Sequence, residues 1–282
     1  MHETTASRTA YRVAIRRAEH QVLDHPPVFE DPVALRIIGP EARAKIRTGI
    51  ITRTQRLTLS FRAFMAVRSR FAEDELAKAV ASGVRQYVIL GAGLDTFAYR
   101  NPHSGLRVFE VDHPATQAWK HERLAEGNID IPPSTTFVPA DFERNSLADE
   151  LAASSFDPQA PAFFSWLGVT PYLTDRAFDQ TMAFVASLPA LSGIALDYSV
   201  PRTMLNPTEQ MALDALTARV AHAGEPLQLF LDPTELSARL RGMGFRYIED
   251  LGRDQMNARF TADRTDRLRV KGNLAHLLLA RV

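Results

Sequence analysis

Residues 86–100, Gln86-Tyr-Val-Ile-Leu-Gly-Ala-Gly-Leu-Asp-Thr-Phe-Ala-Tyr-Arg100, restrict the possible folds more than any other stretch of the chain. Tyr87-Val88-Ile89-Leu90 is a run of β-branched, aromatic and aliphatic side chains. Such a run reads as a short strand buried on both faces. Gly91-Ala92-Gly93 follows, where glycine lets the main chain turn tightly and lets a ligand approach it closely. Asp95 and Thr96 are residue types that begin helices, so a helix is predicted after the turn, its free N–H groups facing back into it. Strand, glycine turn and helix together make a cradle of the nucleotide-binding kind at the edge of an α/β sheet. A buried strand with an ordinary glycine turn is the plain alternative for a lone G-x-G.

The rest of the chain supplies strands and helices in alternation. Before the glycine turn, helices are predicted over Ala10–Leu23, Val33–Ile38 and Arg53–Ala81. Asp24-His-Pro-Pro-Val-Phe-Glu-Asp-Pro32 interrupts the first, and Gly39-Pro40 stops the second. After the turn, strands are predicted at Leu106–Asp112, Thr135–Pro139, Ala162–Trp166, Gly193–Ser199, Gly244–Glu249 and Leu274–Ala280. Pro114 opens a helix through Leu124, and Thr174 caps one whose Phe178, Met182 and Val185 share a face. Asn206-Pro-Thr-Glu209 and Asp232-Pro-Thr-Glu235 are capping boxes for helices through Arg219 and Arg241. This alternation argues for a largely parallel, doubly wound sheet.

Composition excludes several functions. A formal net charge of +0 gives no sign of nucleic acid or an anionic membrane as partner. The chain has 0 cysteines, so disulfides, thiolate metal sites and a cysteine nucleophile are ruled out, and no metal site is expected. No apolar run is long enough to span a bilayer, and Met1-His-Glu-Thr-Thr lacks the apolar core of a signal peptide. A cytoplasmic location is expected.

Asp112 lies about twenty residues past the glycine turn, where an acid at a strand end accepts hydrogen bonds from ribose hydroxyls. Ala140-Asp141-Phe142 follows the next strand, and an acid beside an aromatic there could hold an adenine. Arg68 and Arg70, within Val67-Arg-Ser-Arg-Phe71, read on their own as a solvated helix face. Tyr172, Tyr198 and His113 fall near the expected carboxyl edge of the sheet. The two tyrosines are candidates for the substrate side. His113, beside the acid, is a weaker candidate for a base.

In order and spacing, these motifs resemble the leucine carboxyl methyltransferase family, a branch of the class I S-adenosylmethionine-dependent methyltransferases. The similarity runs from Phe29-Glu-Asp-Pro-Val-Ala34 to the last strand. It rests on Arg68-Ser-Arg-Phe-Ala-Glu-Asp74, Leu90-Gly-Ala-Gly-Leu-Asp-Thr96 with Tyr99-Arg100, Phe109-Glu-Val-Asp-His-Pro114, Ala140-Asp-Phe142 and Gly168-Val-Thr-Pro-Tyr-Leu173. The resemblance implies a Rossmann-like, mostly parallel seven-stranded sheet with an antiparallel last strand, preceded by a helical cap. The cap would be residues 1–82, and the cofactor-binding domain residues 83–282 with a substrate-side insertion at about 201–231.

The resemblance also implies roles. Arg68 would bind the carboxylate of the cofactor's methionine. The Gly91, Ala92 and Gly93 backbone would pass beneath the cofactor. Asp112, with His113 beside it, would hold the ribose, and Asp141 and Phe142 would meet the adenine. Many members carry an acid just before the glycine of the Gly168 motif, facing the cofactor's amino group. Here Leu167 occupies that place, so another group must face the amino group. Phe97 stands where a basic residue is common. The implied activity is O-methylation of a carboxylate or hydroxyl on a small molecule or peptide. Two other readings stay open: a member that binds the cofactor without transferring methyl, and an NAD(P)-dependent oxidoreductase. Against the oxidoreductase, Thr96 holds the place of the third glycine of G-x-G-x-x-G.

Overall fold

The computed structural model describes residues 8–48, 56–222, 224 and 226–282. In chain order the helices and strands are α1 (Arg8–Leu23), α2 (Ala34–Ile37), α3 (Pro40–Arg47), α4 (Arg56–Ala81), β1 (Gln86–Leu90), β2 (Arg107–Asp112), α5 (Pro114–Glu126), β3 (Thr135–Pro139), α6 (Leu147–Ala152), β4 (Ala162–Trp166), α7 (Asp175–Ala186), β5 (Gly193–Ser199), α8 (Pro207–His222), α9 (Pro233–Met243), β6 (Tyr247–Leu251), α10 (Arg253–Phe260) and β7 (Ala275–Arg281). Residues 49–55, including 53–55 of the helix expected there, lie outside the described residues.

Seven strands form one sheet in the order β3-β2-β1-β4-β5-β7-β6. The five strands β1 to β5 pair in parallel, and β7 runs antiparallel between β5 and β6. The seven-stranded, mostly parallel expectation with an antiparallel last strand therefore holds. The order reverses at β1, which pairs with β2 on one side and β4 on the other, with Leu90 opposite both Val111 and Trp166. In an open α/β sheet, the crevice beyond the carboxyl ends at such a reversal is where ligands bind.

Every residue of β1 is buried, because its two faces meet two different cores. Val88 and Leu90 join a cluster with Phe178 and Met182 of α7 and Leu236 and Leu240 of α9. Tyr87 and Ile89 join another with Val67, Phe71 and Leu76 of α4 and Met256 of α10. A third cluster joins Ala14 and Ala18 of α1, Ile37 of α2, Ile46 of α3 and Leu124 of α5, with Leu94 from the loop after β1. At about 25 cal/mol per Å² of apolar surface buried, these clusters supply the main drive for the N-terminal helices to lie on the sheet.

Helix ends follow local chemistry. Thr174 Oγ1 accepts from the Ala177 N–H at 3.3 Å. Asn206 and Glu209 form the full reciprocal box, at 3.1 and 3.0 Å. Asp232 accepts from the N–H groups of Thr234 and Glu235 at 2.8 and 3.2 Å.

Three expectations need correction. The helix after the glycine turn is a single 3₁₀ turn, Phe97–Tyr99. Asp95 Oδ1 takes the Phe97 N–H at 2.7 Å, and Asn101 precedes Pro102, which disfavours helical backbone there. Gly39-Pro40 does not only stop α2, because Pro40 is the first residue of α3, where its missing N–H has no consequence. The sixth strand begins at Tyr247 and not at Gly244, because Gly244 caps α9 in the left-handed conformation, φ 112°.

Candidate active site

The carboxyl ends of β1, β2 and β4 open into one cavity, which helix α1 and the segment after α8 also line. The glycine turn forms its floor. Gly91 and Ala92 donate to the Val111 carbonyl at 2.8 and 3.1 Å, tying the turn to β2. Gly91 and Gly93 have φ of 65° and 47°, a region that glycine enters without steric cost. A Cβ on Gly91 would lie 2.3 Å from Val169 Cγ2, and one on Gly93 would lie 3.1 Å from the Ala10 side chain. Side chains here would fill the space that a ligand needs.

Asp112 ends β2 and lines this cavity. Its Oδ2 accepts from the Gly93 N–H at 2.5 Å and its Oδ1 from the His113 N–H at 2.7 Å. Each oxygen keeps a second lone pair for a ligand hydroxyl. Burial pushes its carboxyl above the usual carboxylate range, although the two N–H groups pull the other way. His113 also faces the cavity, but its Nδ1 accepts the Ala115 N–H at 3.2 Å as the N-cap of α5. That bond assigns the ring proton to Nε2 and occupies the Nδ1 lone pair.

Asp141 and Phe142, just beyond β3, line the cavity as expected. Asp141 Oδ1 holds the Glu143 N–H at 3.0 Å, which shapes the loop. The Phe142 ring leans on Trp166, with centroids 6.1 Å apart.

Arg68 is 6% exposed, and its guanidinium reaches the cavity from α4. Its Nη1 donates to Asp197 Oδ2 at 2.9 Å. Its Nε and Nη2 have no hydrogen-bond partner among the described residues. Asp197 Oδ1 accepts the Gly168 N–H at 2.5 Å. Gly168, φ 74°, leaves room for the arginine, since a Cβ there would sit 2.8 Å from Arg68 Nη1. Leu167 lines the cavity beside it without charge. Arg70 points elsewhere, half-exposed and paired with Asp74 at 2.7 Å.

Two participants escaped the sequence reading. Asp197 is the one acid in an otherwise apolar and hydroxylic strand, Gly193-Ile-Ala-Leu-Asp-Tyr-Ser199, and that isolation was its available signal. Arg17 of α1 is the other. Its Nη2 donates to Asp31 at 2.7 Å and to Thr96 Oγ1 at 2.9 Å, and its Nη1 donates to Asp95 at 3.0 Å. This buried guanidinium fixes α1 to the glycine turn, and nothing in the sequence around it pointed to those distant partners.

Of the tyrosine candidates, Tyr172 lines the cavity, with Gln228 Nε2 bonded to its carbonyl at 2.8 Å. Tyr198 does not. It is buried on the opposite face of β5 from Asp197, and its hydroxyl donates to Asp250 beside His276. The alternation of a strand sends neighbours to opposite faces, so the assignment of Tyr198 to the substrate side is withdrawn. Phe97 is also core, edge-on to Tyr87 with centroids 4.9 Å apart. Tyr99 and Arg100 brace the turn, Tyr99 through Glu110 at 3.0 Å and Arg100 through Glu73.

The sequence matches the leucine carboxyl methyltransferase family over residues 10–186, from α1 to the end of α7. The chain belongs to that family. Among its relatives is YktD of Bacillus subtilis, 30% identical over 95% of both chains and named as an S-adenosyl-L-methionine-dependent methyltransferase. A similarly named protein of Parafrankia sp. is 35% identical over 56% of this chain and 48% of its own length. The fold is shared with a DUF574 family protein from Streptomyces avermitilis, at TM-score 0.58 and 19% identity over 96% of each chain. A Thermobifida fusca structure described as a methyltransferase gives TM-score 0.58 and 16% identity, over 99% of this chain and 96% of that one. Family members are S-adenosylmethionine-dependent methyltransferases, and the cavity has the features this cofactor requires. It offers a glycine floor, an acid at the end of the second strand and an arginine with unpaired donors.

No helix among the described residues is long and apolar enough to cross a membrane.

Proposed function

We propose that this S-adenosylmethionine-dependent methyltransferase methylates an oxygen, of a carboxylate or a hydroxyl, on a small molecule or peptide. The observation that carries the reading is the meeting of Arg68, the Gly91–Gly93 turn and Asp112 around one cavity. Bound there, S-adenosylmethionine would supply a sulfonium methyl group that is already a strong electrophile. Arg68 would hold the methionine carboxylate through its unpaired donors, a charge-assisted contact. Asp112 would accept from the ribose hydroxyls, and Asp141 with Phe142 would bracket the adenine.

We read α1 to α4 as a cap, with residues 201–231 as the acceptor-side insertion. Ala10, Val13 and Ala14 of α1 line the cavity with small apolar side chains and would keep water from the reacting atoms. The acceptor would enter near Tyr172, Leu173 and Gln228 and be aligned there with the methyl group. A carboxylate acceptor is already ionised and needs no base, which suits a cavity whose histidine acts as a helix cap.

Calorimetric titration with S-adenosylmethionine and with NAD, followed by tritiated-methyl transfer to carboxylate, phenol and amine acceptors, tests the reading. Binding of S-adenosylmethionine with label on an oxygen is expected. Tighter binding of NAD, or label on nitrogen alone, would overturn it.

A further inference from the structure

The methionine end of S-adenosylmethionine carries a carboxylate, which needs hydrogen-bond donors and is repelled by acids. The acids that line the cavity among the described residues are Asp95, Asp112, Asp141 and Glu143. They stand at or after the ends of β1, β2 and β3. The wall where α4 packs on β4 brings donors instead: Arg68 and Ser69 of α4, and Ser165 of β4.

Ser69 is only 6% exposed, yet its Oγ is neither hydrogen-bonded among the described residues nor sealed off. Its open surface is therefore turned to the cavity that it lines. Arg17 differs, because its unpartnered Nε is sealed within the protein and meets no ligand. Ser165 is buried on the face of β4 shared by Phe163 and Leu167, which pack in the cluster containing α4. The Tyr87 hydroxyl donates to Ser165 Oγ at 2.8 Å. That is its one hydrogen bond among the described residues, and reversing it would leave a buried donor unpaired. The bond therefore takes a lone pair of Ser165 and leaves its own O–H free to donate.

Resting on the cofactor reading above, we infer that the hydroxyls of Ser69 and Ser165 join Arg68 in holding the cofactor's methionine carboxylate. Arg68 supplies the charge through Nε and Nη2, while Asp197 holds its Nη1 at 2.9 Å. The guanidinium is seated on Gly168, where a Cβ would lie 2.8 Å from Nη1 and 3.0 Å from Nη2. Gly168 continues the chain from Ser165, and Ser69 follows Arg68 on α4, so the donors come from two adjoining parts of one wall. A carboxylate offers about four lone-pair sites, enough for a guanidinium fork and two hydroxyls.

The test is calorimetric titration of the full chain with three probes. These are S-adenosylhomocysteine, its decarboxylated analogue, which keeps the amino group, and 5′-methylthioadenosine, which lacks the whole amino-acid portion. The wild type should prefer S-adenosylhomocysteine over the decarboxylated analogue. Ser69→Ala and Ser165→Ala should each lower affinity for S-adenosylhomocysteine about tenfold, through loss of a hydrogen bond to a charged group. Each should leave the decarboxylated analogue within about twofold of wild type and 5′-methylthioadenosine unchanged, which also reports an intact fold. Ser165→Ala leaves the buried Tyr87 hydroxyl unpaired. Where it does not fold, Ser165→Ala combined with Tyr87→Phe carries the test, because that hydroxyl is then removed as well. Unchanged affinity for S-adenosylhomocysteine in either serine variant would overturn the inference. So would equal weakening of S-adenosylhomocysteine and its decarboxylated analogue, which would mean that the hydroxyls serve the amino group or only the shape of the pocket. A wild type that binds S-adenosylhomocysteine but ignores its carboxylate refutes this inference and leaves the cofactor standing. A wild type that binds none of the probes refutes the cofactor reading as well.

Discussion

Gly91→Ala probes the turn on which the site is built. Gly91 has a φ of 65°, and an L side chain there costs about 1–2 kcal/mol. The added methyl would also lie 2.3 Å from Val169 Cγ2, far inside the normal contact distance of about 3.5–4.0 Å. Val169 is β-branched and stiff at χ1, and its Cβ and Cγ1 would lie only 3.4 and 3.5 Å away. Relieving that overlap by rotation or by moving the 167–173 segment adds about 1–3 kcal/mol. The expected loss of stability is therefore about 2–5 kcal/mol in urea unfolding. Truncating the neighbour isolates the steric part. In a cycle of Gly91→Ala, Val169→Ala and the double variant, a favourable coupling of about 1–3 kcal/mol should appear, leaving the backbone strain. Affinity for S-adenosylhomocysteine should fall in Gly91→Ala and partly recover in the double variant, since both residues line the cavity. A loss below about 0.5 kcal/mol, or the same loss whether or not Val169 has been truncated, would refute the close-approach argument.

Asp112→Ala should weaken S-adenosylmethionine binding at least about tenfold, from the loss of charged hydrogen bonds worth about 1.5–3 kcal/mol each. Unchanged affinity by calorimetry would remove Asp112 from the site. Arg68→Lys keeps the charge, but one ammonium cannot both reach Asp197 and present a fork to the cavity, so cofactor affinity should fall. Arg70→Lys, paired at the surface with Asp74, should bind like wild type, and equal behaviour of the two would count against the arrangement. Asp24→Asn leaves the buried Arg62 without its bidentate partner and should cost about 3–5 kcal/mol near neutral pH. Burial alone would raise the Asp24 carboxyl, but hydrogen bonds from Arg62 and His20 hold it below its ordinary value. Its contribution is therefore full above the unfolded pKa of about 4 and is lost as pH falls through the lower folded value. The gap in urea stability between wild type and Asp24→Asn should narrow on acidification below that range, and a constant gap would contradict the assignment.

Much of the sheet was legible because a buried parallel strand writes a compact apolar signature. Thr135–Pro139, Ala162–Trp166 and Gly193–Ser199 were placed to the residue. Helix α3 was missed because Gly39-Pro40 carries the same letters whether it ends one helix or starts the next. Helices α6, six residues long, and α10, eight, went unseen because so few turns give weak periodicity. The 3₁₀ turn at Phe97–Tyr99 went wrong for a related reason: local capping letters were present, but a side chain competed for the first N–H.

What the sequence determined by itself was local: where strands begin and end, which glycines turn, and which acid stands at the end of β2. Those features depend on residues close together in the chain, so their chemistry can be read in order. The site as a whole depends on contacts that only folding creates. Arg68 and Asp197 are 129 residues apart, and Arg17 and Asp95 are 78 apart. Tyr198 and Asp197 are adjacent in sequence, yet the pleat of β5 sends one to the Asp250–His276 pair and the other to Arg68. Which of two neighbouring polar residues meets Arg68 was decided by the face each presents once α4 packs on the sheet.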